Sequence, residues 1–297
     1  MYRRHPANRN PPPPQACDAI GQKSDDANIS GFSLAHDTDL NVFDYLALNP
    51  ERAKNFAQSM STAKPHTLAS LAKNFDWAGL PPNSTVVDVG GSMGHVSVYL
   101  ARQFPHLQFI VQDRDEVVAG AEATLPVDVR DRVRFMAHDM FLQQPVQDAD
   151  VYLFRHVFHD WSDKYCVRIL KALIPALKKG AKIVVQECIV APPGTMNLVQ
   201  ERFIRYVRNS PLGSYSPSIV AHCMETCMSR LNSVLTRVLS DSRTMDIRML
   251  VANNAREREE DDWRQLFAKT DDRFGPLTAR TTADYTSAGT LYAEWTE

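Results

Sequence analysis

No run of about 18 apolar residues occurs in this 297-residue sequence, so no membrane-spanning helix is expected. The opening residues, Met1-Tyr2-Arg3-Arg4-His5, lack the apolar stretch of a secretory signal, and a cytoplasmic protein is expected. Cysteine is scarce. Cys17, Cys166, Cys188, Cys223 and Cys227 form neither a CxxC pair nor a disulfide framework, which points to a reducing compartment. Cys223 and Cys227 stand at helical i,i+4 spacing, but nothing completes a tetrahedral set around them, so no metal is expected. An excess of one charge is also missing. Thirty-three basic residues face 35 acidic ones, for a net charge of -2, which leaves no electrostatic footprint for nucleic acid or an anionic membrane. A small molecule is the expected partner.

What is present is ordinary for a globular chain, 44% hydrophobic and 23% charged. Residues 1–30 are polar, carry Pro11 to Pro14 in succession and bury too little to offset their ordering entropy, so a disordered tail is expected there. Residues 31–80 read as helical. Asn49-Pro50-Glu51 marks a helix start, with proline in the first turn and acid at the positive end of the dipole. Phe56 and Met60, four apart, then share a face. From Pro81 to the end, strands and helices alternate. Strands are expected at Thr85–Val89, Gln108–Asp113, Val133–Ala137, Ala149–Phe154 and Ala181–Glu187, and helices at Gly94–Phe104, about Glu116–Thr124 and Ser162–Leu177. Continuous apolar strands alternating with helices predict an α/β fold: a doubly wound, mostly parallel sheet with helices on both faces.

Asp88-Val89-Gly90-Gly91-Ser92-Met93-Gly94 joins the first strand to the first helix of this unit. Glycines permit a sharp turn and close approach of a ligand to the backbone. A dinucleotide loop reads G-x-G-x-x-G, whereas this one reads G-G-x-x-G beside an acid, and Asp88 suits a cationic amino-acid cofactor better than a pyrophosphate. Asp113 ends the second strand 25 residues after Asp88 and is placed to accept from ribose hydroxyls; the alternative is a helix cap. Asp139, after the third strand, offers an acceptor to an adenine amino group while Met140 packs on the ring; the alternative is a turn aspartate beside a core methionine.

The most telling run is Phe158-His159-Asp160-Trp161-Ser162-Asp163, where an apolar strand ends in an imidazole. Open α/β sheets hold ligands at strand carboxyl ends, and histidine accepts protons near neutral pH. Asp160 and Asp163 read as caps for the helix that follows. Together with Val86–Gly94, Asp139-Met140, Cys166 and Val185-Gln186-Glu187-Cys188, this run resembles the plant and fungal small-molecule O-methyltransferases of the Rossmann-like, S-adenosylmethionine-dependent class. The resemblance implies S-adenosylmethionine as cofactor, held at Asp88, Gly90, Gly91, Gly94, Asp113, Asp139, Met140 and Arg155. It implies that His159 removes a phenol proton between two acids, Glu187 and Glu257. It places Phe56, Met60, Met249 and Asn253 along the acceptor pocket, and makes a phenolic secondary metabolite, in particular a fungal polyketide, the expected substrate.

Against that resemblance, residues 31–80 read as a remnant of a longer dimerisation and lid region, which leaves the homodimer of relatives open for this chain. Residues 206–242 read as an insert, with five serines between Ser210 and Ser229 and no clean period. Codons for Arg205-Tyr206-Val207 and Asp241-Ser242 can carry splice consensus sequences, so a retained intron is the expectation. Two rivals stand beside the methyltransferase: a non-catalytic or impaired relative that binds the cofactor, and an NAD-dependent dehydrogenase on a similar sheet.

Overall fold

The computed structural model describes residues 24–60, 65–190, 249–281 and 288–297. Four helices precede the sheet: α1 (Gly31–Ala35), α2 (Val42–Ala47), α3 (Pro50–Met60) and α4 (Pro65–Asn74). Side chains set their starts. Ser30 accepts from the Ser33 N–H, Asn41 from those of Phe43 and Asp44, and Asn49 from that of Arg52, so α3 begins with proline at its first position as the sequence predicts.

The sheet follows as β1 (Thr85–Val89), β2 (Gln108–Asp113), β3 (Val133–Ala137), β4 (Val151–Arg155), β5 (Lys182–Glu187), β8 (Thr278–Arg280) and β9 (Gly289–Glu294), in spatial order β3-β2-β1-β4-β5-β9-β8. The first five are parallel, and β9 runs antiparallel to both β5 and β8. Helices α5 (His95–Gln103), α6 (Asp115–Val118), α7 (Asp163–Leu173) and α8 (Glu260–Thr270) complete the layers. Strand alternation divides the core in two. Val87, Val89, Tyr152, Phe154, Ile183 and Val185 pack with Ile169 and Leu170 of α7 and Trp263 and Phe267 of α8. Val86, Phe109, Val111, Leu153 and Val184 face Leu71 of α4 and Val96 and Leu100 of α5. Each such buried side chain contributes roughly 1.5–3 kcal/mol.

Three boundaries differ from expectation. Residues 24–30 are ordered rather than part of a tail. Asn254 donates to the carbonyls of Ser24 and Asp26, Ser162 Oγ donates to that of Asp25, Lys164 pairs with Asp25 and Asp26, and Ala27 is buried. These few polar bonds supply what the segment's poor hydrophobicity does not. Helix α7 stops at Leu173 and continues as a 3-10 turn over Ile174–Ala176, because Pro175 cannot extend an α-helix. The helix expected over 116–124 divides into α6 and a 3-10 turn at Ala121–Thr124, with Gly120 at φ +75° between them. The interruption expected at 206–242 lies outside the described residues.

A second, two-stranded ladder has the largest bearing on the site. β6 (Ile189–Val190) pairs in parallel with β7 (Arg258–Glu259), in the register Ile189 to Arg258 and Val190 to Glu259. It ties the chain just after Glu187 to the chain just after Glu257.

Candidate active site

β4 delivers Arg155 and His156 to the carboxyl edge of the sheet, and a 3-10 turn over Phe158–Asp160 then carries His159 inward. Glu187, the last residue of β5, is fully buried. Its Oε1 accepts from the N–H groups of Val157 and Phe158, both at 2.9 Å, which fixes the turn. Its Oε2 lies 3.6 Å from His159 Nδ1. Glu257, held in place by the short ladder, brings Oε1 to 2.9 Å from the same Nδ1. A carboxylate only accepts, so Nδ1 carries the hydrogen and Nε2 is the atom left to take a proton. The three residues expected to form the catalytic set therefore meet.

Burial opposes charge on His159, but Glu187, Asp160 and Glu257 outweigh it and push its pKa up to about 10. Asp160 is pushed up to about 7, by burial first, while His159 acts the other way. Burial alone would raise Glu187, yet His159, the His156 ring and the backbone N–H groups hold it below its usual value.

Asp160 and Asp163 are not the helix caps expected. Asp160 Oδ1 accepts from Asn253 Nδ2 at 2.6 Å, and Ser162 takes the N-cap position of α7. Asp163 instead receives Arg256 and Arg258. Arg258, itself buried, also donates to the carbonyls of Phe158 and Trp161, at 3.0 and 2.8 Å, on either side of His159. Sequence reasoning missed Arg258 and the Asp160–Asn253 bond, since both sit among charged or polar residues with no local pattern to single them out.

The glycine turn is close-packed. Gly90 and Gly94 both take φ +72°, which strains any other residue there. A Cβ on Gly91 would stand 2.7 Å from Val111 and 2.8 Å from the Asp88 carboxyl carbon. Asp88 is buried beneath the turn, accepts from Ser97 Oγ at 2.7 Å and is pushed up to about 6 by burial. Asp113 Oδ2 accepts from the Ser92 N–H and Oδ1 from that of Arg114, each at 2.8 Å. Each oxygen thereby keeps an acceptor lone pair at the end of β2. Asp139 is exposed in the turn after β3, with Oδ1 accepting from the Phe141 N–H, and Met140 is half-buried against the core. Arg155 donates to Gln186 and to Thr67 of α4.

Of the four acceptor-pocket candidates, Asn253 and Met249 lie together on the helical turn at 249–253, with Asn253 Nδ2 3.8 Å from Met249 Sδ. Phe56 stands edge-on to Phe43, which stacks on Trp161 beside His159 at 5.6 Å between ring centroids. Met60 is the last residue of α3, and its side chain lies outside what is described.

Residues 17–205, more than half of the chain, match the O-methyltransferase domain family model. The chain belongs to that family. Among its relatives, a grayanic acid biosynthesis cluster O-methyltransferase of Cladonia grayi is 43% identical over 267 residues, covering 87% of this chain and 50% of that protein. The O-methyltransferase pyvH of Aspergillus violaceofuscus is 35% identical over 264 residues, covering 85% and 53%. The chain thus spans about half the length of these curated relatives. Among solved structures, human N-acetylserotonin methyltransferase in complex with S-adenosylmethionine superposes with a TM-score of 0.64 at 19% identity, covering 96% of this chain and 66% of the human one. That likeness shows the fold, the Rossmann-like sheet expected for this family. A dehydrogenase assignment loses its ground, since the family and the spacing of the glycine turn agree.

Proposed function

We propose that this protein is an S-adenosylmethionine-dependent O-methyltransferase that methylates a phenolic hydroxyl of an aromatic secondary metabolite, a fungal polyketide in particular, with His159 as general base. The observation that carries this reading is the buried imidazole bracketed by Glu187 and Glu257 at the carboxyl end of a methyltransferase-family sheet. The fungal relatives named O-methyltransferases support the reaction class.

The strand ends fit the cofactor. Asp113 keeps two acceptor lone pairs where ribose hydroxyls would lie, Asp139 offers an exposed carboxylate to an adenine amino group with Met140 beneath it, and both ring nitrogens of half-buried His95 beside the glycine turn lack a hydrogen-bond partner. Gly90, Gly91 and Gly94 let the backbone approach it, while Asp88 and Arg155 set the charge below. When bound, S-adenosylmethionine supplies an electrophilic methyl group. This chain's own residues orient the acceptor and move its proton. Phe43, Phe56 and Trp161 form a chain of ring contacts, Asn253 beside Met249 binds Asp160 next to the histidine, and His159 Nε2 accepts the phenol proton. A phenol has a pKa of about 10, so an imidazole whose basicity Glu187, Asp160 and Glu257 raise is better able to take its proton. The ring must first lose the proton that its carboxylate neighbours favour, so turnover rises with pH above neutrality.

A radiolabelled methyl-transfer screen over a panel of phenols, run with wild type and His159→Ala, tests the reading. The alanine variant is expected to lose about 10²-fold or more in rate while calorimetry shows S-adenosylhomocysteine still bound. Full activity in the variant removes the base assignment. Cofactor binding without transfer to any phenol selects a non-catalytic relative.

A further inference from the structure

His156 takes no part in the chemistry above, yet its ring lies against the same carboxylate. It sits at φ +51° on the edge of the site, its Nδ1 3.4 Å from Glu187 Oε2 and without a hydrogen-bond partner. Glu187 Oε1 is pinned by two backbone N–H groups, which leaves Oε2 fully buried, without a well-formed hydrogen bond and aimed between two imidazoles. One donor atom each from His156, His159 and Glu187 lies within 4.8 Å of the others.

We propose that His156, His159 and Glu187 form a zinc-binding site whose occupation switches off His159 as a base. Zinc with bonds of about 2.0–2.2 Å in tetrahedral geometry holds its donors about 3.3–3.6 Å apart. The separations here are 3.4 Å for His156 Nδ1 to Glu187 Oε2 and 3.6 Å for His159 Nδ1 to the same oxygen. Two neutral imidazoles and one carboxylate supply three of the four donors, and the charges of Glu187 and of Glu257 beside His159 balance a divalent ion that burial would otherwise make costly. Metal on Nδ1 displaces the proton from that nitrogen and leaves the neutral ring's hydrogen on Nε2. Nε2 then donates and no longer accepts. The binding stands independently of the base assignment, while the inhibition rests on it.

The full-length chain, stripped with a chelator, is titrated with Zn²⁺ by calorimetry and with Co²⁺ by visible absorption. One ion per chain and the intense bands of tetrahedral cobalt are expected. His156→Phe weakens binding at least tenfold and removes the bands. X-ray absorption of the zinc-loaded wild type shows nitrogen and oxygen donors with two imidazoles. Zinc also blocks methyl transfer reversibly in wild type, and the ratio of rates with and without zinc returns toward one in the variant. If His156→Phe fails to fold by circular dichroism, His156→Asn and the wild-type absorption spectrum decide. No stoichiometric binding, a sulfur shell, or affinity unchanged by the His156 variants overturns the site. Tetrahedral binding that leaves methyl transfer untouched overturns the inhibition and the base assignment, but not the site.

Discussion

The β1–β3 side of the sheet and the β4–β5 side are assembled by different routes. On the first, Asp88 to Gly94 form one continuous turn, and Asp113 reaches back only 21 residues to bind the Ser92 N–H. On the second, His159 meets Glu257 across 98 residues of chain, and Arg258 reaches the Phe158 carbonyl across 100. The glycine-turn side is thus shaped mainly by backbone conformation and packing, and the His159 side by buried charge brought together from afar. The two should fail differently when perturbed.

The largest effect is expected at Glu257→Gln. An amide there can donate to Nδ1 and so put the ring hydrogen on Nε2, and kcat should fall about 10²- to 10⁴-fold with S-adenosylhomocysteine affinity unchanged by calorimetry. A proportional loss of both would erase the distinction between the two sides. Arg258→Met strips a buried carbonyl clamp and leaves Asp163 with less compensation, so urea denaturation should show about 3–5 kcal/mol less stability. Gly91→Ala drives a methyl into Val111 and Asp88 and should cost about 1–3 kcal/mol while also weakening S-adenosylhomocysteine binding. Asp113→Asn keeps one acceptor oxygen and should weaken that ligand about tenfold, a loss of about 1.4 kcal/mol; an unchanged Kd would detach Asp113 from the cofactor.

The smallest and most gradual effect is with pH. His159 is stabilised as the cation: burial opposes this, and Glu187, Asp160 and Glu257 overcome it. Its folded pKa lies above the unfolded value of about 6.5, so the stabilisation is complete below that value and is lost as pH rises through about 10. Melting temperatures of wild type should therefore converge on those of His159→Ala between pH 7 and 10. Parallel curves would show that the imidazolium is not held by its neighbours.

This difference in route also explains what could be read from the residues alone. The five parallel strands are apolar runs bounded by turn signals, so their places and direction follow from local pattern. β8 and β9 escaped notice because Thr278-Ala279-Arg280 is short and half-exposed, and Gly289–Glu294 opens on glycine with mixed polarity. His159 and Glu187 stand at strand ends, where ligands gather. Glu257 resembled its neighbours in an acidic run, yet only 1% of it is exposed, while Glu259 and Asp262 form the capping box of α8. What separates them is that Glu257 immediately precedes the β6–β7 ladder and meets His159 there, a long-range placement that no local window contains. His156 had no pattern at all; its interest comes entirely from where Glu187 points.

The β6–β7 ladder has a further consequence for length tolerance. It joins Val190 to Glu259 through only two residue pairs, yet it closes the whole loop of chain that runs between them. Loop-closure entropy grows only with the logarithm of loop length, about 0.6 kcal/mol for each doubling. The placing of Glu257 beside His159 therefore depends far more on those two pairs than on how many residues run between them.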